Sequence, residues 1–394
     1  MAEEKKLTVL QVLPALESGG VERGTLEVAQ ALVLRGHRAL VMSAGGRQVA
    51  PLAASGAEHF AWPIGAKSLA TLRLVPRLRR FLAEQKVDLV HARSRVPAWV
   101  AWLAWRRMDP GTRPRFVTTV HGMYGVNRYS RIMTRGEAVI AVSDTVREYI
   151  LQNYPDTPPE RIRVIHRGVD GEAYPHGWKP GDAWQADFFA AFPNAAGKLL
   201  VTLPGRITRL KGHEAFIELI ASLKHRGMRV HGLVVGGASP SKQRYLRALH
   251  EQVHRQGLDP DISFTGQRDD LKSILSISGL VLSLSTQPES FGRTTLEALR
   301  LGVPTAGFDH GGVGEILRTI YPAGLLPLGR VDEAAGRIAE LLSAPPPVPE
   351  GDFFPLHAML SQTLDLYERL AAHKDHETRT TGARGITDSI PDPR

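Results

Sequence analysis

Between residues 280 and 317 the sequence alternates short apolar runs, glycine-containing turns and helical periodicity, and this alternation restricts the fold more than any other stretch. Leu280–Leu284 and Val303–Phe308 are apolar runs whose length and composition predict buried strands. Residues 294–301 lie between them, have helical periodicity and are followed by Gly302, a typical C-terminal stop. Strand, helix and strand in this order predict parallel strands in an α/β domain.

Two predicted helix N-termini lie at the carboxyl edge of this sheet, one after the turn at Ser290–Gly292 and one after His310–Gly312. Backbone N–H groups and the helix dipole favour a bound anion at such positions. Two carboxylates, Glu289 and Glu297, are set at the first of them with seven residues between. Either alone could be an ordinary surface or helix-dipole acid. Together they suit a ligand that combines an anion with sugar hydroxyls.

The segment from Glu289 to Glu297 resembles the E-x7-E signature of retaining nucleotide-sugar glycosyltransferases of family GT4, which have the GT-B fold. The likeness extends to the LG-x-P segment that follows and to GG-x-x-E at residues 311–315. It implies that Glu289 contacts the transferred sugar and that Glu297 contacts the ribose. The other members of the implied donor site in this stretch are Ser290, Phe291, Gly292, Gly311 and Gly312.

A second part of the resemblance follows the predicted strand Lys198–Leu203, where Gly205, Arg206 and Lys211 fit the family's G-R-x4-K-G pattern. In the family this segment is the diphosphate clamp, which implies that these three residues bind the pyrophosphate of the donor. The chemistry suits that task, since an arginine fork and a lysine point charge neutralise a leaving diphosphate. A lone cation at a strand end is commonly structural, and the full spacing favours the functional interpretation.

The first half of the chain has its own glycine-rich loop, Ser18-Gly19-Gly20, between the predicted strand Leu7–Leu13 and a predicted helix at Val21–Leu34. The loop is not G-x-G-x-x-G, which argues against a dinucleotide-dependent dehydrogenase. In GT4 proteins the matching loop touches donor or acceptor, which implies that Gly19 and Gly20 lie at the cleft. The alternative is a tight turn that needs glycine conformations.

His121 follows the predicted strand Phe116–Val120, and open α/β sheets place their ligands at the carboxyl ends of strands. The His-Gly pair resembles the cleft histidine of GT4 enzymes, whose position lies near the sugar ring. The catalytic set implied in this way is His121, Glu289, Arg206 and Lys211. The cationic and aromatic segment Met123–Arg135 comes next and suits an anionic acceptor, with Arg128 as its predicted contact.

The resemblance spans residues 7–370 and implies the α/β GT-B fold, with two Rossmann-like domains facing across a cleft. We expect an acceptor-binding domain at residues 1–180 and a nucleotide-sugar-binding domain at residues 198–345. Residues 172–197 lack clear periodicity and are interpreted as the interdomain segment. A helical segment at residues 346–373 is expected to cross back to the first domain. Residues 374–394 have almost no apolar side chains, which predicts a disordered tail.

The net charge of +9 is distributed unevenly. Residues 1–180 contain 26 Lys and Arg against 16 Asp and Glu, a balance of +10, so the remainder carries −1. Nucleic acid, an anionic membrane surface or a phosphorylated acceptor would each explain the excess. Nucleic acid is the weakest of the three, because no zinc-finger, RNP-like or leucine-zipper pattern accompanies the charge. The basic, helically spaced segment Lys67–Leu82 fits a peripheral contact with anionic lipid.

No run of about 18 apolar residues predicts a transmembrane helix, and residues 1–13 lack the layout of a signal peptide. The chain has no cysteine, so neither disulfides nor thiolate metal sites are expected. The apolar segment Pro97–Trp105 carries three tryptophans, which we interpret as core packing rather than membrane contact. We expect a cytoplasmic protein held peripherally at the inner face of the cytoplasmic membrane.

The resemblance implies transfer of a hexose from a nucleotide diphosphate sugar, with a UDP-sugar favoured, to an acceptor hydroxyl with retention at the anomeric carbon. No cofactor beyond this co-substrate is expected, and no D-x-D motif stands at a strand end as a metal clamp. The first half is most similar to bacterial glycosyltransferases of lipopolysaccharide core assembly, which implies an anionic lipid-linked saccharide acceptor. Capsule or exopolysaccharide synthesis, a UDP-N-acetylglucosamine 2-epimerase and a non-catalytic sugar-nucleotide sensor are the alternatives.

Overall fold

The computed structural model describes the backbone of residues 5–17 and 19–384, and side chains as far as residue 373. Contacts divide the chain into two compact units. The N-terminal unit comprises the residues up to 142, residues 146–166 and the chain from 357 onward. The C-terminal unit comprises residues 143–145 and 167–356. The boundary near residue 166 lies earlier than the predicted residue 180.

The described part of the N-terminal unit is built on one sheet of seven parallel strands with helical crossovers. The strands are β1 Thr8–Val12, β2 Arg38–Ser43, β3 Glu58–Ala61, β4 Leu89–Ala92, β5 Arg115–Val120, β6 Ala138–Ala141 and β7 Ile162–Val164. The helices are α1 Gly20–Leu34, α2 Val49–Ala54, α3 Leu74–Glu84, α4 Arg95–Trp105 and α5 Asp144–Asn153. The strand order is β3-β2-β1-β4-β5-β6-β7, so the chain reverses its winding direction between β1 and β4.

The C-terminal unit has a second all-parallel sheet with the order β10-β9-β8-β11-β12-β13. Its strands are β8 Leu199–Pro204, β9 Val230–Val235, β10 Ile262–Gly266, β11 Leu280–Ser283, β12 Thr305–Phe308 and β13 Leu325–Leu326. Its helices are α6 Asp182–Ala191, α7 His213–His225, α8 Gln243–Arg255, α9 Leu271–Ile277, α10 Arg293–Arg300, α11 Gly311–Ile320 and α12 Val331–Ser343. Both units therefore have the doubly wound strand order, in which ligands bind at the carboxyl edge where the winding reverses.

The central strands are apolar along nearly their whole length because helices cover both faces of each sheet. β9, β11 and β12, for example, are buried with the single exception of Ser283, which is partly exposed. The few polar side chains inside the sheets are hydrogen-bonded: Thr202 in β8 shares a hydrogen bond of 2.7 Å with Ser278. This burial confirms the sequence expectation of strands at 280–284 and 303–308 within one or two residues at each end.

Helix α6 lies in the segment 172–197, which the sequence analysis interpreted as an interdomain connection without regular structure. Phe188 of α6 joins a buried cluster with Leu200, Leu233 and Ile274 of the C-terminal unit. Trp184 stacks on Phe188 with ring centroids 5.2 Å apart. The helix escaped prediction because it is anchored by this aromatic cluster, and its apolar side chains do not form a stripe at helical spacing.

The last helix, α13 Leu356–Arg384, begins after the proline-containing segment 345–355 and extends past residue 373, the predicted end of the helical segment. From residue 357 it belongs to the N-terminal unit. Tyr367 is fully buried there, and its hydroxyl lies 2.5 Å from Nδ1 of His91 in β4. Residues 374–384 are helical where the sequence predicted disorder, since polar side chains can continue a helix that packing has already started. Residues 385–394 of the predicted tail lie outside the described residues.

Among the helices of residues 5–17 and 19–384, none combines the length and the apolar character needed to cross a bilayer.

Candidate functional site

The carboxyl edge of the C-terminal sheet brings together two loops, residues 205–212 after β8 and residues 284–292 after β11. These strands are neighbours at the point where the winding reverses. The Thr286 N–H donates to the carbonyl oxygen of Leu210 at 2.9 Å, which joins the loops directly. Gly212 has φ 72°, and a Cβ placed on it would lie 2.0 Å from the carbonyl oxygen of Leu284. The contact between the loops therefore depends on glycine at this position.

The two loops place Lys211 against Glu289, with 2.7 Å between Nζ and Oε1. The hydroxyl of Ser285 donates a short hydrogen bond to the same Oε1, and Ser283 donates at 3.4 Å. Burial by itself raises the pKa of Glu289, but the charge of Lys211 and the three hydrogen bonds outweigh it, and the net effect lowers the pKa. Glu289 is thus an ionised carboxylate held in one orientation at the sheet edge.

Arg206 is exposed at the same edge, and within the described residues its guanidinium has no hydrogen-bond or ion-pair partner. The backbone around it is fixed: Gly205 N–H donates to Val235 at 2.8 Å, and Ile207 N–H donates to Gly237 at 3.0 Å. A Cβ placed on Gly205 would lie 3.4 Å from the aliphatic stem of Lys211. The structure therefore brings Gly205, Arg206 and Lys211 together, as the predicted clamp requires, with Lys211 also paired to Glu289.

Glu297 lies on α10, which starts after Gly292 in a left-handed conformation of φ 95°. Glu297 is only 5% exposed, and Nε of Arg293 lies 3.4 Å from its Oε1. A buried carboxylate of this kind is stabilised by its paired cation. Arg293 was not predicted as a site residue, although its i, i+4 spacing to Glu297 indicates the pair.

Gly311 and Gly312 pack against the loop that carries Glu289. The Gly312 N–H donates to the carbonyl oxygen of Glu289 at 2.8 Å, so the predicted contact from this amide to a ligand would compete with an existing hydrogen bond. A Cβ placed on Gly312 would lie 2.4 Å from Cα of Phe291, and one on Gly311 would lie 2.7 Å from the Glu289 carbonyl oxygen. These glycines allow α11 to approach the loop closely.

Two further members of the predicted donor site differ in how accessible they are. Phe291 is 4% exposed, and its ring packs edge to face on Phe354 with centroids 5.7 Å apart. Its side chain is part of the core, so only its backbone remains for a ligand. Ser290 is partly exposed next to Glu289.

Ser285 and His310 are two further residues at this site that were not predicted from the sequence. Ser285 donates to the Glu289 carboxylate, and Nε2 of His310 lies 2.8 Å from the Ser285 carbonyl oxygen. His310 thereby ties the loop after β12 to the loop after β11. Serine and histidine are common in turns, and neither has a spacing that marks this role.

In the N-terminal unit, the predicted residues lie at the carboxyl edge of the first sheet. Gly19 caps α1, and a Cβ placed on it would lie 2.6 Å from a carboxylate oxygen of Glu22. Gly20 begins α1 and is exposed, while Ser18 of the same loop lies outside the described residues. His121 directly follows β5 and is partly exposed. The topology thus brings Gly19, Gly20 and His121 to one sheet edge.

Arg128 is exposed, and its guanidinium has no partner among the described residues. Nearby in the chain, Arg95 lies over the ring of Tyr124 at 4.6 Å and over that of Tyr129 at 5.3 Å. Arg93, in the residues between β4 and α4, is fully buried, and its Nε donates to Oε1 of Gln11 at 2.7 Å. Burial lowers the pKa of Arg93. Neither arginine after β4 was predicted as a site residue, although the end of that strand borders the winding reversal.

Two family models match the chain in succession. Residues 18–173 match the model for Glycosyltransferase Family 4, and residues 185–350 match the model for Glycosyl transferases group 1. A D-inositol 3-phosphate glycosyltransferase of Rhodococcus erythropolis is 28% identical over 281 residues, which are 66% of this chain and 60% of that protein. The chain thus spans less than two thirds of the length of that relative.

Solved structures share the fold over nearly the whole chain. A glycosyltransferase from Rickettsia africae superposes with a TM-score of 0.78 at 27% identity, covering 92% of this chain and 98% of that one. Anabaena HepE, solved with UDP and glucose, gives a TM-score of 0.72 at 21% identity and covers 97% and 100%. The two halves of the chain thus match, in order, the models of two glycosyltransferase families, and the chain has the α/β GT-B fold of two Rossmann-like domains.

Proposed function

We propose that this protein transfers a hexose from a nucleotide diphosphate sugar to an acceptor hydroxyl with retention of the anomeric configuration. The observation that carries the proposal is the pairing of Lys211 with the ionised Glu289 beside the exposed Arg206, at the winding reversal of the C-terminal sheet. Two cations and an oriented carboxylate at this place match a ligand with a diphosphate and a hydroxyl-rich sugar.

In the donor complex, Arg206 and Lys211 would bind the diphosphate. An ammonium group has three N–H donors, so Lys211 keeps two for phosphate oxygens while it holds Glu289. Glu289 would accept hydrogen bonds from the sugar, and Glu297 from the ribose. A UDP-sugar is the donor we favour. Neutralising the diphosphate as it leaves lowers the barrier, since charge develops on it in the transition state.

The proposed reaction breaks the bond between the anomeric carbon and the diphosphate oxygen and forms one from the same face to the acceptor oxygen. The acceptor proton passes to the departing phosphate oxygen, so the products are the glycoside and the nucleoside diphosphate. No separate general base is needed for this step. His121 would lie near the sugar ring, and no metal ion would be required, because the two cations take its place.

We assign the acceptor to the N-terminal unit and propose an anionic lipid-linked saccharide of the kind assembled in lipopolysaccharide cores. Its support is the +10 balance of residues 1–180 and the exposed Arg128. A phosphorylated polyol is the second candidate, because D-inositol 3-phosphate glycosyltransferases are among the relatives of this chain, and one of them matches 66% of it. Both acceptors present phosphate, and a transfer assay with each separates them.

A thermal-shift panel with UDP, GDP, ADP and CMP tests the donor site, because a ligand of the native state raises the melting temperature. Arg206→Ala and Lys211→Ala should each weaken binding of the best nucleoside diphosphate by about 1.5–3 kcal/mol, the usual scale of charge-assisted hydrogen bonds. Arg255→Ala is the matched control, since Arg255 is exposed at the far end of α8. Unchanged affinity in both site variants would refute the clamp.

Product analysis separates transfer from epimerisation, the alternative reaction of this fold. A transferase releases nucleoside diphosphate only in step with glycoside when the acceptor is present. Conversion of the donor into a different free sugar nucleotide without any acceptor would instead favour an epimerase.

A further inference from the structure

An apolar groove of about 510 Å³ lies in the N-terminal unit between residues 66–72 and one face of α4. Leu72 lines one wall, and Val96, Trp99 and Leu103 line the other. The indole N–H of Trp99 donates to the carbonyl oxygen of Tyr129 at 2.9 Å, so its polar atom is satisfied, and the ring packs edge to face with Trp102 at a centroid distance of 5.6 Å. Trp99 and Leu103 are partly exposed, although the sequence analysis interpreted the tryptophans of this helix as core.

Large apolar side chains are exposed beside the groove. Leu69 is 85% exposed and Leu72 is 52% exposed, both in a single turn of 3-10 helix at Leu69–Arg73. Ser68 fixes the start of that turn by accepting a hydrogen bond from the Ala70 N–H at 3.2 Å. A turn that holds two leucines toward solvent next to an apolar groove leaves a surface that water solvates poorly.

The chain around the groove is cationic and nearly free of acids. Residues 61–83 contain five Lys and Arg and no Asp or Glu, and residues 110–136 contain five Arg and no Asp or Glu. Lys67, Arg73, Arg79 and Arg80 are exposed, and no carboxylate pairs with them in the part of the chain that the structure describes. Arg77 is engaged differently, because it lies over the ring of Trp62 at 4.1 Å. In residues 110–136, by contrast, Arg115 pairs with Glu137 and Arg131 with Asp156, so the cationic border of the groove is that of residues 67–80.

We propose that this groove receives an acyl chain of an anionic membrane lipid, with Leu69 and Leu72 inserted beside it and the surrounding cations bound to headgroups. Exposed leucines, an interfacial tryptophan and unpaired Lys and Arg are the combination that holds a protein in the membrane interface. A second copy of this chain fits worse, since a symmetric contact would set the same positive charges against each other. The inference rests on the proposed membrane location of the acceptor.

Vesicle binding tests the proposal without any transfer assay, so it can fail independently of the proposed function. We would titrate the full chain with vesicles of phosphatidylcholine and phosphatidylglycerol whose acyl chains carry bromine, which quenches nearby tryptophan. The decrease in tryptophan fluorescence on binding to these vesicles should be substantially smaller for Trp99→Phe than for the unchanged protein. Binding should weaken at about 0.5 M salt, because the headgroup attraction is screened.

The variant Leu69→Ser/Leu72→Ser should lower the partition coefficient about tenfold or more, since it removes two apolar anchors. Leu34→Ser is the matched control, as Leu34 is 81% exposed in the same unit on α1. Both variants change exposed side chains, and equal melting temperatures would confirm that they fold. Two results would overturn the proposal: binding without quenching of Trp99, or equal partition coefficients for the leucine variant and the control. Either result would mean that the protein binds the membrane only through electrostatic attraction to headgroups. Self-association that the leucine variant abolishes would overturn it in favour of a dimer.

Discussion

Two opposing electrostatic effects act on the pKa of Glu289. Its burial favours the neutral acid, whereas Lys211 at 2.7 Å and the serine hydroxyls favour the carboxylate. The balance lies with the carboxylate, so the folded protein keeps this group charged below its ordinary pKa of 4.5. A negative charge fixed in this way can orient a sugar, and its salt bridge also orients Lys211.

Removing the cation should therefore reverse the balance. In Lys211→Met, burial is no longer offset by charge, and we expect the pKa of Glu289 to rise. A lowered folded pKa stabilises the protein above the unfolded value and loses that contribution as the pH falls through the folded pKa, so the variant should lose stability already at a higher pH. Unfolding free energies measured from pH 3 to pH 7 test this, with Arg255→Met as the control. Parallel pH curves for the two variants would contradict it.

The pairing of Lys211 with Glu289 shows what sequence can and cannot predict at this scale. The G-R-x4-K-G and E-x7-E spacings identified both residues, but each spacing describes a local segment. The two residues are 78 positions apart, and they meet because β8 and β11 are neighbours in the sheet. Strand order is a tertiary property, so the salt bridge and the supporting hydroxyl of Ser285 could not be predicted from either segment alone.

At the scale of elements, the site depends on loops that touch each other rather than on any single loop. Gly212 permits the contact between the loops after β8 and β11, and Gly311 and Gly312 permit that between α11 and the Glu289 loop. The tie from His310 to Ser285 adds a third link. The loops therefore hold one another in position, and a substitution in one loop should change the position of the Glu289 carboxylate on the loop after β11.

Gly212→Ala tests this coupling, because a Cβ would lie 2.0 Å from the Leu284 carbonyl oxygen. We expect a loss of stability larger than the roughly 1 kcal/mol that a left-handed alanine costs by itself. Gly227→Ala is a close control, since Gly227 has φ 79° and no atom of the described residues lies within 4 Å of the added Cβ. Chemical denaturation gives both values. If both variants lost the same free energy of unfolding, the contact between the loops after β8 and β11 would not contribute to stability.

Some helices and strands of this chain could be predicted from the sequence more readily than others. The strands from 280 to 308 were predictable because buried parallel strands are continuous apolar runs bounded by glycine and proline. Helix α6 was not, since Trp184 and Phe188 anchor it through a cluster with distant residues rather than through a periodic stripe. The 3-10 turn with Leu69 and Leu72 was not predicted, because it lies in the segment Lys67–Leu82, which was interpreted from its basic residues.

At the scale of the whole molecule, charge and chemistry are divided between the two halves of the sequence. Residues 1–180 carry a balance of +10, whereas the remainder, which holds the proposed clamp and both carboxylates of the E-x7-E pattern, carries −1. The proposed donor site therefore does not rely on a general positive field, and its affinity for diphosphate should come from Arg206 and Lys211 themselves. The field of the first half is available for an anionic acceptor or a membrane.

This division leads to a prediction for the complete reaction. If the two cations suffice to neutralise the leaving diphosphate, transfer should continue in excess EDTA and give a glycoside with the anomeric configuration of the donor. Glu289→Gln should impair transfer more than nucleotide binding, because its proposed partner is the sugar that moves, whereas Glu297→Gln should weaken nucleotide binding as well. Proton NMR of the product reads the anomeric coupling, and calorimetry reads the binding. An inverted coupling would exclude the same-face displacement, and activity lost in EDTA but restored by magnesium or manganese would show that Arg206 and Lys211 need a metal ion beside them.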